Sequence, residues 1–324
     1  MNLRAYINRR SLWRTIAESV SVALQDFSQS EPQLVANMVF QIPRAVNALQ
    51  LTAIQSGGVF VHQHPQAKCA NFPKPKLGSV EIGDLLLLRT ERRNGRIVSS
   101  SAFLLQAKKS ARLLLHRPDN TNQHYLYARW PLFEYAYATR LLNGQKRQIT
   151  GLDLYSASKY LLIGKNQPYF SANCRYCCPR YILSNHCCAL TAHPTFPSLT
   201  HYRCFVGEMV DFILGNAGKD CTAPPPDADV GWNKVIEDLT TVTAKSASVY
   251  MGKASGLQGT ERGQYLCFLS GDAFRILDGN LKDFKDKIQP PDGNVPKVPE
   301  EVSDSGGEEN SGISIIEFVV TLDE

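Results

Sequence analysis

Two apolar runs, residues 85–88 (LLLL) and 102–105 (AFLL), stand either side of a charged segment that contains Asn94-Gly95. Their length and composition are those of β-strands, and Asn-Gly between such runs marks a hairpin turn. A hairpin sets the start of its first strand beside the end of its second. Here the start is acidic, at Asp84. The end carries Gln106 and Lys108, two residues apart and so on one strand face. A carboxylate, an amide or backbone oxygen and a lysine are thereby gathered at one point. Oxygens of this kind can hold a hard divalent cation and leave the ammonium beside it.

The charge distribution adds to this reading. Residues 1–150 hold 20 Lys and Arg against 8 Asp and Glu, whereas the remainder holds 15 against 22. The basic half is the half with Asp84 and Lys108. A polyanion such as nucleic acid is its simplest partner, and a solubilising surface is the plain alternative. At 324 residues, with 43% hydrophobic and 20% charged, the chain suits one large globular domain or two modest ones. No apolar run approaches the roughly 20 residues that span a bilayer, so no membrane association is expected. The first ten residues, MNLRAYINRR, have no apolar signal core behind their charges, which makes a cytoplasmic location the expectation.

Along the chain, residues 11–28 have amphipathic helical spacing through Ile16, Val20, Leu24 and Phe27, with Ser11 as a cap. A second helix opens at Ser30-Glu31-Pro32, with Ser30 as N-cap and Leu34, Met38, Ile42 and Leu49 as its apolar stripe. Pro43 is expected to kink or divide it. Residues 59–61 read as a short strand ending in His62-Gln63-His64. Residues 125–142 read as helix, 160–164 as a buried strand, 174–204 as irregular, 205–214 and 232–246 as helices, and 264–269 as strand. Residues 290–312 are poor in apolar side chains and are expected to be disordered. The chain ends in ISIIEFVVTL, a strand expected to add in cis to the edge of the sheet.

Cutting a phosphodiester requires an activated water, charge relief on the phosphate and a stabilised leaving oxygen. One or two Mg²⁺ (or Mn²⁺) ions supply all three when carboxylates hold them next to the backbone. Asp84 suits the bridging ligand, and Gln106 can coordinate through its side-chain oxygen. Lys108 can orient or help deprotonate the water and neutralise phosphate charge. A second carboxylate comes from Glu81 or Glu31. Glu81 precedes Asp84 by three residues and points to the opposite face of a regular strand, so geometry favours Glu31, at the start of its helix.

Asp84, followed after a hairpin-length gap by Gln106-Ala107-Lys108 at the end of an apolar strand, resembles the PD-(D/E)XK nuclease superfamily. Gln in place of the usual acidic residue is similar to the branch that includes the Mrr-like restriction endonucleases. In that branch a helix-borne Glu precedes the core, and SEPQLVANMV at residues 30–39 looks like it. The resemblance covers residues 30–140, about a third of the chain. It implies an α/β protein with a restriction-endonuclease-like mixed sheet flanked by helices and Mg²⁺-dependent hydrolysis of DNA phosphodiester bonds. It also implies a role in restriction or antiviral defence, with catalytic Asp84, Gln106, Lys108 and Glu31, and metal ligands Asp84, Gln106, Glu31 and Glu81. One position departs from the pattern: Gly83 stands where the family has Pro.

The expected organisation is a nuclease core over residues 1–165, a helical and mixed region with a Cys-rich insertion over 166–288, an acidic linker over 289–312 and a terminal strand over 313–324. The Cys-rich insertion suggests a structural zinc site at Cys174, Cys177, His186 and Cys188, with buried thiols as the plain alternative. Lys109, Arg112 and Arg129 are the expected DNA contacts. Tyr125, Tyr127 and Trp130 read more readily as core than as a base-stacking set. The competing function is a non-catalytic nucleic-acid-binding or assembly subunit of a defence complex. A partner subunit or a homo-oligomer is compatible with either reading.

Overall fold

The computed structural model describes residues 9–61, 65–111, 115–138, 142–149, 156–164, 189–222, 231–253, 267–271, 295, 297 and 312–322. Two helices, α1 (Arg9–Ala23) and α2 (Glu31–Ala48), precede β1 (Ile54–Val61), β2 (Gln66–Lys68) and β3 (Val80–Glu81). The hairpin β4 (Leu85–Arg93) and β5 (Arg96–Ser110) follows, then α3 (Thr121–Arg129), β6 (Phe133–Ala136), β7 (Lys146–Arg147) and β8 (Ser158–Gly164). Next come β9 (Ala189–His193), β10 (Thr200–Cys204), α4 (Phe205–Ile213), β11 (Lys219–Asp220), α5 (Trp232–Lys253), β12 (Cys267–Gly271) and β13 (Ser314–Leu322).

The result is an α/β protein built on a mixed sheet in the order β10-β9-β8-β5-β4-β13-β1-β12, with the short β11 also paired to β5. A small second sheet runs β3-β2-β6-β7. In the large sheet, β5 is parallel to β8 and β13 is parallel to β4, while the other neighbours are antiparallel. Asn94 and Gly95 both have positive φ, 51° and 74°, and form the tight turn of the β4–β5 hairpin. That handedness matches the twist of the two strands, and Asn and Gly adopt it at least cost.

The central strands of this sheet are covered on both sides, which explains their unbroken apolar runs. Leu85, Leu87, Phe103, Leu105, Leu161 and Phe318 pack with α1, α2 and α4. Leu86, Leu88, Leu104, Tyr160, Leu162 and Ile315 pack with α3, α5 and the small sheet.

The terminal strand departs from its expected place. It lies inside the sheet, between β1 and β4, rather than at an edge. Its side chains from Ser314 to Val320 are all buried, a pattern that an edge strand with one solvent face would not have. Glu317 fixes its register: its carboxylate accepts from the buried Thr90 hydroxyl at 2.6 Å, and its carbonyl accepts from Ser56 Oγ at 2.9 Å. Strands from residues 1–165 therefore alternate with strands from the rest of the chain within one sheet.

Four local expectations also change. Helix α2 continues through Pro43 to Ala48 as one element. Helix α1 is already formed at Arg9, so Ser11 lies within it. Residues 125–142 are not one helix: α3 starts at Thr121, capped by Asn120, and ends before Trp130, whose φ is 40°. Pro131 disfavours the helical conformation at the residue before it, and β6 follows. Finally, β9 and β10 are strands, paired through a register shift between Thr200 and Arg203, within a stretch that composition marked as irregular.

Candidate functional site

The site lies at the sheet end where β4 and β13 begin and where β1 and β5 run out. A pocket there is lined by Glu31, Glu81, Gly83, Asp84, Phe60, Val61 and the segment Gly312, Ile313 and Ser314. Helix α2, the end of β1, residues 81–84 and the start of β13 line it, and the end of β5 adjoins it. Helix α2 contributes Glu31 in its first turn, just after the cap in which Ser30 Oγ accepts from Gln33 N–H at 3.4 Å. The end of β3 contributes Glu81, and Asp84 follows, directly before β4. The end of β5 contributes Gln106 and Lys108. The start of β13, parallel to β4, forms the remaining wall.

Asp84 is anchored by one oxygen. Its Oδ2 accepts from the backbone N–H of Ala107 at 2.7 Å and from Gln106 Nε2. Gln106 is fully buried, and its Oε1 accepts from Gln123 Nε2 at 2.7 Å. A carboxylate beside it can only accept, so this chain of donors orients the Gln106 amide with nitrogen toward Asp84 and oxygen toward α3. Glu31 bridges to the other strand end: Oε1 accepts from Lys108 Nζ at 3.3 Å and Oε2 from the backbone N–H of Lys109 at 2.6 Å. Glu31, Glu81, Asp84, Gln106 and Lys108 are thus brought together.

Glu81 joins Asp84 in the pocket because the strand between them is not regular. Glu81 ends β3, in the small sheet, and Asp84 directly precedes β4, in the large one. The alternation that would send them to opposite faces does not operate across residues 82–84. Gly83 makes the crossing possible. A Cβ there would stand 2.7 Å from Leu104 Cδ1 and 2.8 Å from the Tyr127 hydroxyl, which donates to the Ile82 carbonyl at 2.7 Å. Gly83→Ala is therefore expected to cost roughly 1–3 kcal/mol through overpacking. Because part of the clash is with the hydroxyl and the rest with Leu104, the cost in a Tyr127→Phe background should be smaller but not zero, and thermal melting of the four proteins of the double-mutant cycle measures the difference.

Burial, then the charge of Glu81, pushes the Asp84 carboxyl well above the usual carboxylate range; Lys108 opposes this. Burial likewise pushes Glu81 up, with Lys108 opposing and Glu31 adding to the rise. For Lys108, burial favours the neutral form, but Asp84, Glu31 and Glu81 outweigh it and hold the ammonium above its ordinary value. The pocket therefore has an excess of negative charge around one protonated lysine. In the unfolded chain both raised carboxyls would ionise in the ordinary range. The folded protein binds more protons, so stability falls as pH rises through and above that range. In chelator, Asp84→Asn is expected to melt above the wild type at pH 8 and to show a flatter loss of Tm between pH 5 and 8. Added Mg²⁺ should raise the wild-type Tm more at pH 8 than at pH 5.

Comparison with family models, with curated proteins and with solved structures gave no match. The chemistry of the site is therefore argued from its own groups.

Carboxylate oxygens are the donors that Mg²⁺ or Mn²⁺ prefers, and two neighbouring buried carboxyls whose ionisation is opposed by burial and by each other's charge are a place where a divalent cation relieves repulsion. Asp84 Oδ1 and the Glu81 carboxylate are the oxygens suited to hold it. Both Glu31 oxygens are engaged by Lys108 and Lys109, and the Gln106 oxygen expected as a ligand faces Gln123 instead. Among the described residues no group of three His, Cys, Asp or Glu side chains is already disposed around one metal position.

The other expected residues fall outside this cluster. Lys109 turns its ammonium onto the Gln29 carbonyl at 2.6 Å and over the Phe27 ring at 4.8 Å. Arg129 is exposed at the far end of α3. Tyr127 and Trp130 are core residues, each 1% exposed. Arg112 and the zinc set Cys174, Cys177, His186 and Cys188 lie outside the described residues, as do His62 and His64. Sequence reasoning missed Gln123, Tyr127 as a support of residues 82–83, and the Gly312–Ser314 wall. Gln123 and Tyr127 are four residues apart and so share one helix face, a signal hidden by starting the helix at residue 125.

Proposed function

We propose that this protein is a Mg²⁺- or Mn²⁺-dependent nuclease that hydrolyses DNA phosphodiester bonds, with a restriction-endonuclease-like core and a role in bacterial defence against foreign DNA. The observation that carries the reading is the convergence of Glu31, Glu81 and Asp84 in one pocket at the end of the β4–β5 hairpin, with Lys108 Nζ 3.3 Å from Glu31 Oε1 beside it. Asp84 and Glu81 would hold the cation, which when bound polarises the phosphate and lowers the pKa of a coordinated water. The protein's own groups do the positioning. Ala107 N–H and Gln106 fix Asp84, and Gln123 fixes Gln106. Lys108, held charged by three carboxylates, serves as an electrostatic partner for the phosphate rather than as a proton acceptor. Glu31 keeps that ammonium over the pocket while substrate is absent.

The resemblance of Asp84…Gln106-Ala107-Lys108 and the Glu31 helix to Mrr-like endonucleases supports the same reading, as does the basic N-terminal half. The test is incubation of plasmid with the purified protein in Mg²⁺, in Mn²⁺ and in chelator. Nicking or linearisation in either metal and none in chelator is the expected result. DNA binding that is intact while no metal, partner subunit or DNA form elicits cleavage would instead favour the non-catalytic subunit.

A further inference from the structure

The small sheet has an inner and an outer face, set by the register of its four strands. Ala67, Val80, Tyr135, Phe133 and Arg147 are paired across it and buried. The alternate positions form the outer face, on which Lys68 and Lys146 are exposed, Gln66, Glu81 and Glu134 are half-buried and Ala136 is buried. One row across that face is Glu81, Gln66 and Ala136; the next is Lys68, Glu134 and Lys146. Glu81 is a carboxylate of the candidate site, so the outer face is continuous with it. Two strand spacings, about 10 Å, separate Glu81 from Ala136.

Tyr137 follows Ala136 directly. It is 60% exposed, and its φ is 49°. A non-glycine residue, particularly an aromatic one, enters the left-handed region at a cost and persists there only where its surroundings impose it; such residues cluster at functional sites. Lys68 Nζ lies 5.5 Å from the centre of the Tyr137 ring. Lys68 and Lys146 are both exposed. An exposed aromatic ring with one ammonium beside it and a second lysine on the same sheet face is what an unpaired nucleotide needs: a surface for its base and cations for its phosphates. Duplex DNA keeps its bases stacked on one another and would use the lysines alone.

From this we infer that the outer face of the β3-β2-β6-β7 sheet binds single-stranded DNA next to the cleavage pocket, with Tyr137 stacking on a base and Lys68 and Lys146 contacting the backbone. The inference rests on the nuclease reading and narrows its substrate class to DNA with unpaired bases beside the cut. The lone acid in the second row, Glu134, sits between the two lysines.

The experiment measures fluorescence anisotropy of a fluorescein-labelled oligothymidine with the full-length protein in chelator, so that binding is read without cleavage. Tyr137→Ala should weaken binding roughly tenfold or more, while Tyr137→Phe stays near the wild type. Tyr137→Gly removes the ring and relieves the backbone together, so equal loss in the Ala and Gly variants separates stacking from misfolding. Lys68→Ala and Lys146→Ala should each lower the salt dependence of binding by roughly one unit of slope. Duplex binding should be unchanged by Tyr137→Ala. Wild-type affinity for oligothymidine in Tyr137→Ala, or no affinity in the wild type, overturns the inference. Plasmid cleavage measured in parallel shows whether the nuclease reading falls with it or stands without it.

Discussion

Asp84→Asn is expected to reduce metal-dependent DNA cleavage by about 10³-fold or more, with the fold intact. The asparagine can keep both hydrogen bonds that anchor the side chain, because its oxygen accepts from Ala107 N–H and Gln106 Nε2 as Asp84 Oδ2 does. What it removes is the negative charge and one oxygen donor in the pocket. Lys108→Met should cost roughly 10²–10⁴-fold, in the range of a group that acts on charge or protons in the transition state. Its ammonium is the cation that the three carboxylates hold over the site. Gln106 acts through Asp84 instead of on the substrate, so Gln106→Ala should lower activity less than Asp84→Asn. Single-turnover cleavage of labelled DNA by the three variants orders them. Equal activity in Asp84→Asn and wild type, with both folded, would remove Asp84 from the chemistry.

The second large effect concerns stability. Removing residues 312–324 should abolish cooperative folding, because β13 is an interior strand bonded to β1 on one side and β4 on the other. Its loss would open two unpaired edges in the middle of the sheet and uncover apolar faces on both sides of it. Ile315, Ile316 and Phe318 are each fully buried. Phe318→Ala alone is expected to cost about 3–5 kcal/mol, much of the 5–15 kcal/mol that typically holds a domain together. Denaturant unfolding followed by circular dichroism measures both variants. A soluble truncated protein with a cooperative transition like that of the full chain would show that the sheet does not depend on the terminal strand. The same deletion removes the Gly312–Ser314 wall of the pocket, so stability and site are tied to one segment.

How much of this was readable from the residues follows from the range of the signals. The β4–β5 hairpin was legible because its determinants are local: two apolar runs, Asn94-Gly95, and polar residues at fixed spacing. Ser30 as a cap with Glu31 in the first turn was legible for the same reason. The place of β13 was not. Its sequence announces a buried strand, but nothing local says that it pairs with residues more than 200 positions earlier. The role of Glu81 was misjudged because period-two alternation was carried through residues 82–84, where the chain passes from one sheet to the other. Gly83 held the clue: a residue without a side chain, beside a helix whose Tyr127 needed the room. Gln106 was found as a site residue by spacing, but only its neighbours reveal that its amide supports Asp84. A small-sheet residue such as Tyr137 gave no sequence signal, since its exposure and left-handed backbone appear only after folding.

The central claim is that Asp84 and Glu81 form a divalent-cation site at the end of the hairpin. Anomalous diffraction from crystals of the protein soaked in Mn²⁺ tests it most directly. The expected result is a single strong peak within oxygen-ligand distance of the Asp84 and Glu81 carboxylates, absent from crystals of Asp84→Asn. A peak elsewhere, or an unaltered pocket with Lys108 still paired to Glu31 and no manganese beside Asp84, would contradict it.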